Sequence, residues 1–237
     1  MIPADPHRPT VLLRGVTKRF VSHGNEYPAL TDVDLAAYPG QLQLLLGPSG
    51  SGKTTLFTIA AGFVSPTAGS VALFGNELHG LGPRMLQRLR AMRIGFVFQT
   101  FLLIEAFTAA ENIDLQLRFA GIRGSGIRER SLEALDLVGI PQLAGKRPNE
   151  LSHGERQRVA IARSMAIDAD LLIADEPTAS LGTEQGAAII RLLHSCATEH
   201  GKCVLVASHD LRLRAFADVI HTMENGRITG TEQGGAR

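Results

Sequence analysis

The chain has 237 residues, 44% of them hydrophobic and 20% charged, the balance of a globular protein long enough for one large domain or two small ones. Its 24 basic and 23 acidic residues leave a formal charge of +1, so no bulk field draws it to nucleic acid or anionic lipid. Two cysteines, Cys196 and Cys203, are too few for a disulfide framework and lack metal-site spacing, so a reduced, cytoplasmic setting is expected. The start, MIPADPHRPT, has no apolar signal-peptide core, and no run approaches the roughly 18 apolar residues of a membrane helix. Any membrane role is therefore expected to come through a partner.

In chain order, Met1–Pro9 is predicted to be a disordered or loosely docked tail. Strands are predicted at Val11–Val16, Leu30–Leu35, Leu42–Leu46 and Ser70–Phe74, and a helix over Lys53–Ala61 closed by Gly62. Pro83–Met92 is a short basic helix, read as a solvated face ahead of any anion site. Ile94–Phe98 is a strand. From Thr100 to Gly145 the pattern is mostly helical, broken at Gly121–Gly126 and Gly139–Pro141, and predicts a separate helical lobe.

After Ser152 strands and helices alternate: helix Gly154–Met165, strand Leu171–Ala174, helix Glu184–Glu199 closed by Gly201, strand Cys203–Ala207. A further helix is expected near Asp210, then a hairpin around Asn225-Gly226 and a turn-rich tail from Gly230. This order predicts an α/β fold with a mainly parallel sheet covered on both faces.

Three motifs carry chemistry. Gly47-Pro48-Ser49-Gly50-Ser51-Gly52-Lys53-Thr54 fits G-x-x-x-x-G-K-[ST] between an apolar strand and a helix, the context of a phosphate-cradling loop. Glycines let backbone N–H groups curl round an anion, and the helix N-terminus adds a favourable dipole. Lys53 supplies positive charge and Thr54 a hydroxyl for Mg²⁺. The strand Leu171–Ala174 ends in Asp175 and Glu176, two carboxylates at the edge where parallel sheets bind ligands. Asp175 suits the Mg²⁺ shell, and Glu176 is a candidate general base. Ser152 and Glu155 form S-x-x-E before an apolar-periodic helix, a capping box whose helix N-terminus is also an anion site.

With Leu151-Ser152-His153-Gly154-Glu155-Arg156-Gln157 in place, the chain resembles an ABC transporter nucleotide-binding subunit from about Val11 to Arg227. The resemblance implies a P-loop NTPase (RecA-like) core with an N-terminal antiparallel β subdomain and a helical subdomain. On this basis residues 1–237 form a single ATPase domain, with the core at 10–98 and 157–237 and the helical subdomain at 99–156. It also implies an ATP-sandwich dimer, homodimeric or paired with a second ABC ATPase. In it the signature residues Ser152, His153, Gly154 and Glu155 close on ATP held by the other subunit's phosphate loop, Gly47–Thr55. By position, Gln99 corresponds to the glutamine contacting Mg²⁺ and the attacking water, and His209 to the switch histidine. Phe20 corresponds to the adenine-stacking aromatic, with Tyr27 as rival; on residues alone Phe20 is more often a core aromatic, and Ser208 equally an N-cap.

Three positions depart from the family pattern. His153 stands at the usual first signature glycine, and Glu155 at a frequent glutamine. Gly182 replaces the aspartate usual after Pro177-Thr178, which removes an expected cross-subunit contact and predicts weakened coupling or slowed turnover.

Lys146-Arg147-Pro148-Asn149-Glu150 lacks the T-x-V-G-E-x-G run of fused exporters, and with the sequence stopping soon after its last strand the added C-terminal domain of many sugar importers is not expected. Gly95–Gln99 and Phe107–Asn112 are similar to the motors of lipoprotein-releasing, macrolide-efflux and cell-division-type systems. That group implies an integral-membrane permease partner at the cytoplasmic face of the inner membrane. A permease helix would then lie in a groove of the helical lobe, near Phe101 or Phe107, although packing of these two inside the lobe is an equal expectation. Solute importers of the amino-acid type share much of this wording. A soluble nucleic-acid clamp is the rival class, against which stand the neutral charge and the lack of a coiled-coil insertion or second cassette. A regulatory cassette is a third, opposed by the intact Lys53, Asp175, Glu176 and His209.

Overall fold

A computed structural model describes residues 8–22 and 24–235. The expected N-terminal tail lies outside the described residues except for Arg8 and Pro9, and Arg8 donates to the Gly75 carbonyl (3.0 Å). Strands β1 (Val11–Ser22) and β2 (Asn25–Ala37) form a long antiparallel hairpin, extended well beyond the short apolar runs that announce it. With β4 (Ala68–Leu73) and β5 (Asn76–Glu77) they make a four-stranded sheet of order β2-β1-β4-β5.

The second sheet begins with β3 (Leu42–Leu46), which runs into the loop before α1 (Lys53–Ala60). It gains β6 (Ile94–Val97), β7 (Leu171–Asp175), β8 (Cys203–Ser208), β9 (Val219–Glu224) and β10 (Arg227–Gln233). The order is β10-β9-β3-β8-β7-β6, parallel throughout except that β10 runs antiparallel to β9. β10 occupies part of the stretch expected to be a turn-rich tail.

Alternation within the central strands explains why they are apolar on both faces. Leu42, Leu44 and Leu46 of β3, with Val204 and Val206 of β8, join a core with Ile113, Leu117 and Leu135 of the helical lobe. Their neighbours Leu45, Leu205 and Ala207 face α1 and the antiparallel sheet, where Phe57, Val33 and Leu73 are buried. The sheet is thus covered on both sides, as parallel sheets require.

The helical lobe holds α3 (Ala109–Phe119) and α4 (Gly126–Leu137), and α5 (His153–Met165) leads from it back to the sheet. Thr108 and Glu111 close a capping box at the start of α3. The stretch before it, expected to be helical, is irregular, with Phe101 (φ 61°) and Leu102 (φ 49°) both left-handed. Near Asp210 the expected helix is a 3₁₀ segment, Leu211–Phe216.

The basic helix α2 (Pro83–Arg93) is not simply a solvated face. Arg90 donates to the Gly62 carbonyl (2.7 Å), and Arg93 bonds Asp170 (2.6 Å) and lies 3.7 Å from the Phe74 ring centroid. The last helix, α6 (Thr183–Thr198), has Gly182 at its N-cap. Among the described residues no helix is long and apolar enough to cross a membrane.

Candidate nucleotide site

The parallel register brings Leu46, Ser208 and Asp175 to one edge of the sheet, because Leu46 pairs with Ser208 and Asp175 with Ala207. Here the chain turns from β3 into α1. A Cβ at Gly47 would lie 2.3 Å from the Met223 carbonyl oxygen. Gly52, with φ 105°, would bring one to 2.6 Å from that of Ala29. Both positions therefore require glycine. Lys53 is buried and donates to the carbonyls of Gly47 (2.7 Å) and Pro48 (3.0 Å), so its ammonium lies inside the curl of the loop. Ser51 is buried beneath the loop, its N–H donating to Pro48 and its carbonyl accepting from Gly226.

Thr54 Oγ1 donates to Asp175 Oδ2 at 2.5 Å. Burial pushes the Asp175 carboxyl above its usual range, with a further upward push from Glu176; the Thr54 bond and the Lys53 charge oppose this. A hydroxyl and a carboxylate in contact, with the Gln99 amide on the same cavity, form the hard oxygen donor set that Mg²⁺ prefers.

Glu176 is only 8% exposed and adopts a left-handed backbone at φ 52°, uncommon for a residue with a side chain. Its N–H donates to Ala207 (2.9 Å) and its carbonyl accepts from Gln157 Nε2 (2.9 Å). The carboxylate accepts from Ser208 Oγ (3.2 Å), meets His209 Nδ1 at 3.0 Å, and lies 3.9 Å from Lys53 Nζ.

One cavity of about 260 Å³ is lined by Ser49, Gly50, Gly52, Lys53, Thr54, Thr55, Gln99, Asp175 and Glu176, together with Ala29. His209 joins it through Glu176. Phe20 does not line this cavity. It is 44% exposed on β1, directly opposite Tyr27 (53%), with Lys18 Nζ 5.0 Å from its ring centroid. The two rival aromatics are cross-strand neighbours on one surface.

The signature residues also lie apart from the cavity. Ser152 Oγ accepts from the Glu155 N–H (3.3 Å) and Glu155 accepts from the Ser152 N–H (2.8 Å), which holds the Glu155 carboxyl below its usual range. A Cβ at Gly154 would fall 3.1 Å from the Ser180 carbonyl oxygen, so this glycine admits the loop that follows Glu176. His153 packs edge-on against Phe101, centroids 4.7 Å apart. Among the described residues, then, the signature residues do not line the phosphate-loop cavity.

The family model for ABC transporters matches residues 30–179. This chain belongs to the ABC transporter family. It is 40% identical over 207 residues to an uncharacterised ABC transporter ATP-binding protein of Thermotoga maritima, covering 87% of this chain and 88% of that one. It is 36% identical over 220 residues to the lipoprotein-releasing system ATP-binding protein LolD 2 of Caulobacter vibrioides, covering 93% and 96%. Its fold matches the dimeric, post-hydrolysis structure of the ATP-binding cassette MJ0796 bound to ADP and Pi, from Methanocaldococcus jannaschii. The TM-score is 0.90 at 36% identity, over 94% of this chain and 98% of that one. The ABC chain is thus an ATP-binding ATPase subunit with a P-loop core.

Sequence reasoning missed two contributors to this ABC site. Gln157 reads as an ordinary helix residue, and Ser208 as an N-cap; its hydroxyl accepts from the Asp210 N–H (3.1 Å) and also reaches Glu176. Ser208, polar at the end of the apolar strand β8, offered a signal, whereas Gln157, set between Arg156 and Arg158, offered none.

Proposed function

We propose that this subunit powers a separate membrane permease of the exporter or lipoprotein-release type through ATP-driven closure of a dimer. The observation that carries this reading is the convergence of Lys53, Thr54, Gln99, Asp175 and Glu176 on one cavity, with His209 on Glu176. The loop Gly47–Thr55 holds the phosphates, and Phe20 takes the adenine. Lys53 exchanges its loop carbonyls for phosphate oxygens as ATP enters. Thr54, Asp175 and Gln99 would hold Mg²⁺, which neutralises charge on the phosphates when bound.

Glu176 accepts a proton as water attacks the γ-phosphorus. The bond from that phosphorus to the β,γ-bridging oxygen breaks, and ADP leaves with the electron pair. His209, already on the carboxylate, senses the γ-phosphate. Ser152, His153, Gly154 and Glu155 complete the site of the other subunit, in a homodimer or with a second ABC ATPase. Their separation from their own chain's cavity supports that arrangement.

A second cavity of about 560 Å³ supports the permease reading. It lies between α2, β6 and α3, lined by Phe63, Arg84, Arg88, Phe98, Leu102 and Phe119 among others. Its mix of aromatics and guanidinium groups suits an amphipathic helix of the membrane partner. The subunit would then sit at the cytoplasmic face of the inner membrane, held there by the permease and without nucleic acid.

Glu176→Gln tests the reading. Hydrolysis stalls and an ATP-bound dimer accumulates, visible as doubled mass on a sizing column; equal hydrolysis by variant and parent overturns the assignment of the base.

A further inference from the structure

Gln157 lies within α5, two residues beyond Glu155, and is 2% exposed. A buried amide is retained only where both its ends are bonded, and here both are. Its Nε2 donates to the Glu176 carbonyl (2.9 Å), and its Oε1 accepts from the Ser180 N–H (3.2 Å). The amide therefore bridges the two ends of the loop 176–180, while Gly154, three residues earlier on the same helix, lets that loop approach closely.

The Glu176 backbone needs such a bridge. A left-handed residue carrying a side chain stores strain and persists only where its surroundings over-determine it. Ala207 fixes the Glu176 N–H from one side and Gln157 fixes its carbonyl from the other. The carboxylate is then aimed at Ser208 and His209.

We infer that Gln157 is a positioning residue that holds the Glu176 peptide in its left-handed, hydrolysis-competent conformation and ties it to the signature helix. This rests on the reading of Glu176 as base. Because Ser152 and Gln157 share one rigid helix, a shift of the signature end on meeting a second subunit's nucleotide moves the Glu176 backbone in its own chain. Without the amide, the carboxylate loses its aim while the phosphate loop, built on β3 and α1, is untouched.

Gln157→Met, close in volume and unable to bond, tests the inference in the full chain. The expected result is a kcat lowered about 10- to 100-fold with the KM for ATP within about twofold, since misorientation costs rate and leaves binding intact. In a Glu176→Gln background the same change has no further effect on the residual rate, because both act through one carboxylate. A kcat equal to the parent's, a KM rising in proportion to the loss of kcat, or additive losses in the double variant overturns the inference. If Gln157→Met does not fold, Gln157→Glu replaces it. That variant keeps the acceptor for Ser180, lacks the donor to Glu176, and is held to the same split. Full activity of Glu176→Gln alone refutes the base assignment instead, so the two failures are told apart.

Discussion

His209 Nδ1 and Glu176 Oε1 lie 3.0 Å apart, joining a ring that is 62% exposed to a carboxylate that is 9% exposed. The histidine ring is open to solvent on its other side, whereas the carboxylate is held by its backbone and by Ser208. His209→Ala is expected to lower kcat about 100-fold or more, the scale of a lost polar group that acts in the transition state. The KM for ATP should change less than about threefold. Steady-state turnover against ATP concentration checks this, and an unchanged kcat would remove His209 from the hydrolytic step.

Asp175 sets stability against activity. Its folded pKa is raised above 3.8, chiefly by burial, so folding without ligand disfavours the ionised form relative to the unfolded chain. Its stabilising contribution is complete below that value and is lost as pH rises through the folded pKa, which makes the ionised group a cost at neutral pH. Asp175→Asn keeps an acceptor for Thr54 and removes the charge. At pH 7.5 the ligand-free variant should melt no lower than the parent, while Mg²⁺-dependent ATP turnover falls about 100-fold or more. A clear drop in the ligand-free melting temperature contradicts this.

Gly182 caps α6 without a side-chain bond, at φ −62° and ψ 161°, and a Cβ there meets no atom within 4 Å. An aspartate fits this backbone and offers its carboxylate to the first free amides of the helix. Gly182→Asp should stabilise the chain by a few tenths to about 1 kcal/mol and raise the melting temperature by about 1–3 °C. Under the dimer reading it also sharpens the dependence of rate on ATP concentration, read as a higher Hill coefficient. A lower melting temperature would show that the cap geometry is unsuited to a carboxylate.

Local rules carry much of the site and fail where tertiary contacts decide. The strands ending at Leu46 and Asp175 are apolar on both faces, so their burial and their shared edge follow from composition alone. The stretch 100–108 reads as helical in sequence, yet the left-handed backbone of Phe101 and Leu102 is fixed by Arg163, which donates to both carbonyls (2.6 and 2.7 Å). Thr108 and Glu111, an S/T-x-x-E pair, already marked where the helix starts. Gln157 was illegible for another reason. Its two partners lie about twenty residues away, and no periodicity encodes a bond to a backbone carbonyl.

His153 and Arg163 grip the same dipeptide from opposite ends of α5, one through the Phe101 ring and the other through the carbonyls of Phe101 and Leu102. The dipeptide is thereby tied to both ends of the helix, through an apolar contact at one and charge-assisted hydrogen bonds at the other. The histidine at the usual signature glycine is thus one of two side chains through which α5 holds the turn that borders the arginine-lined groove.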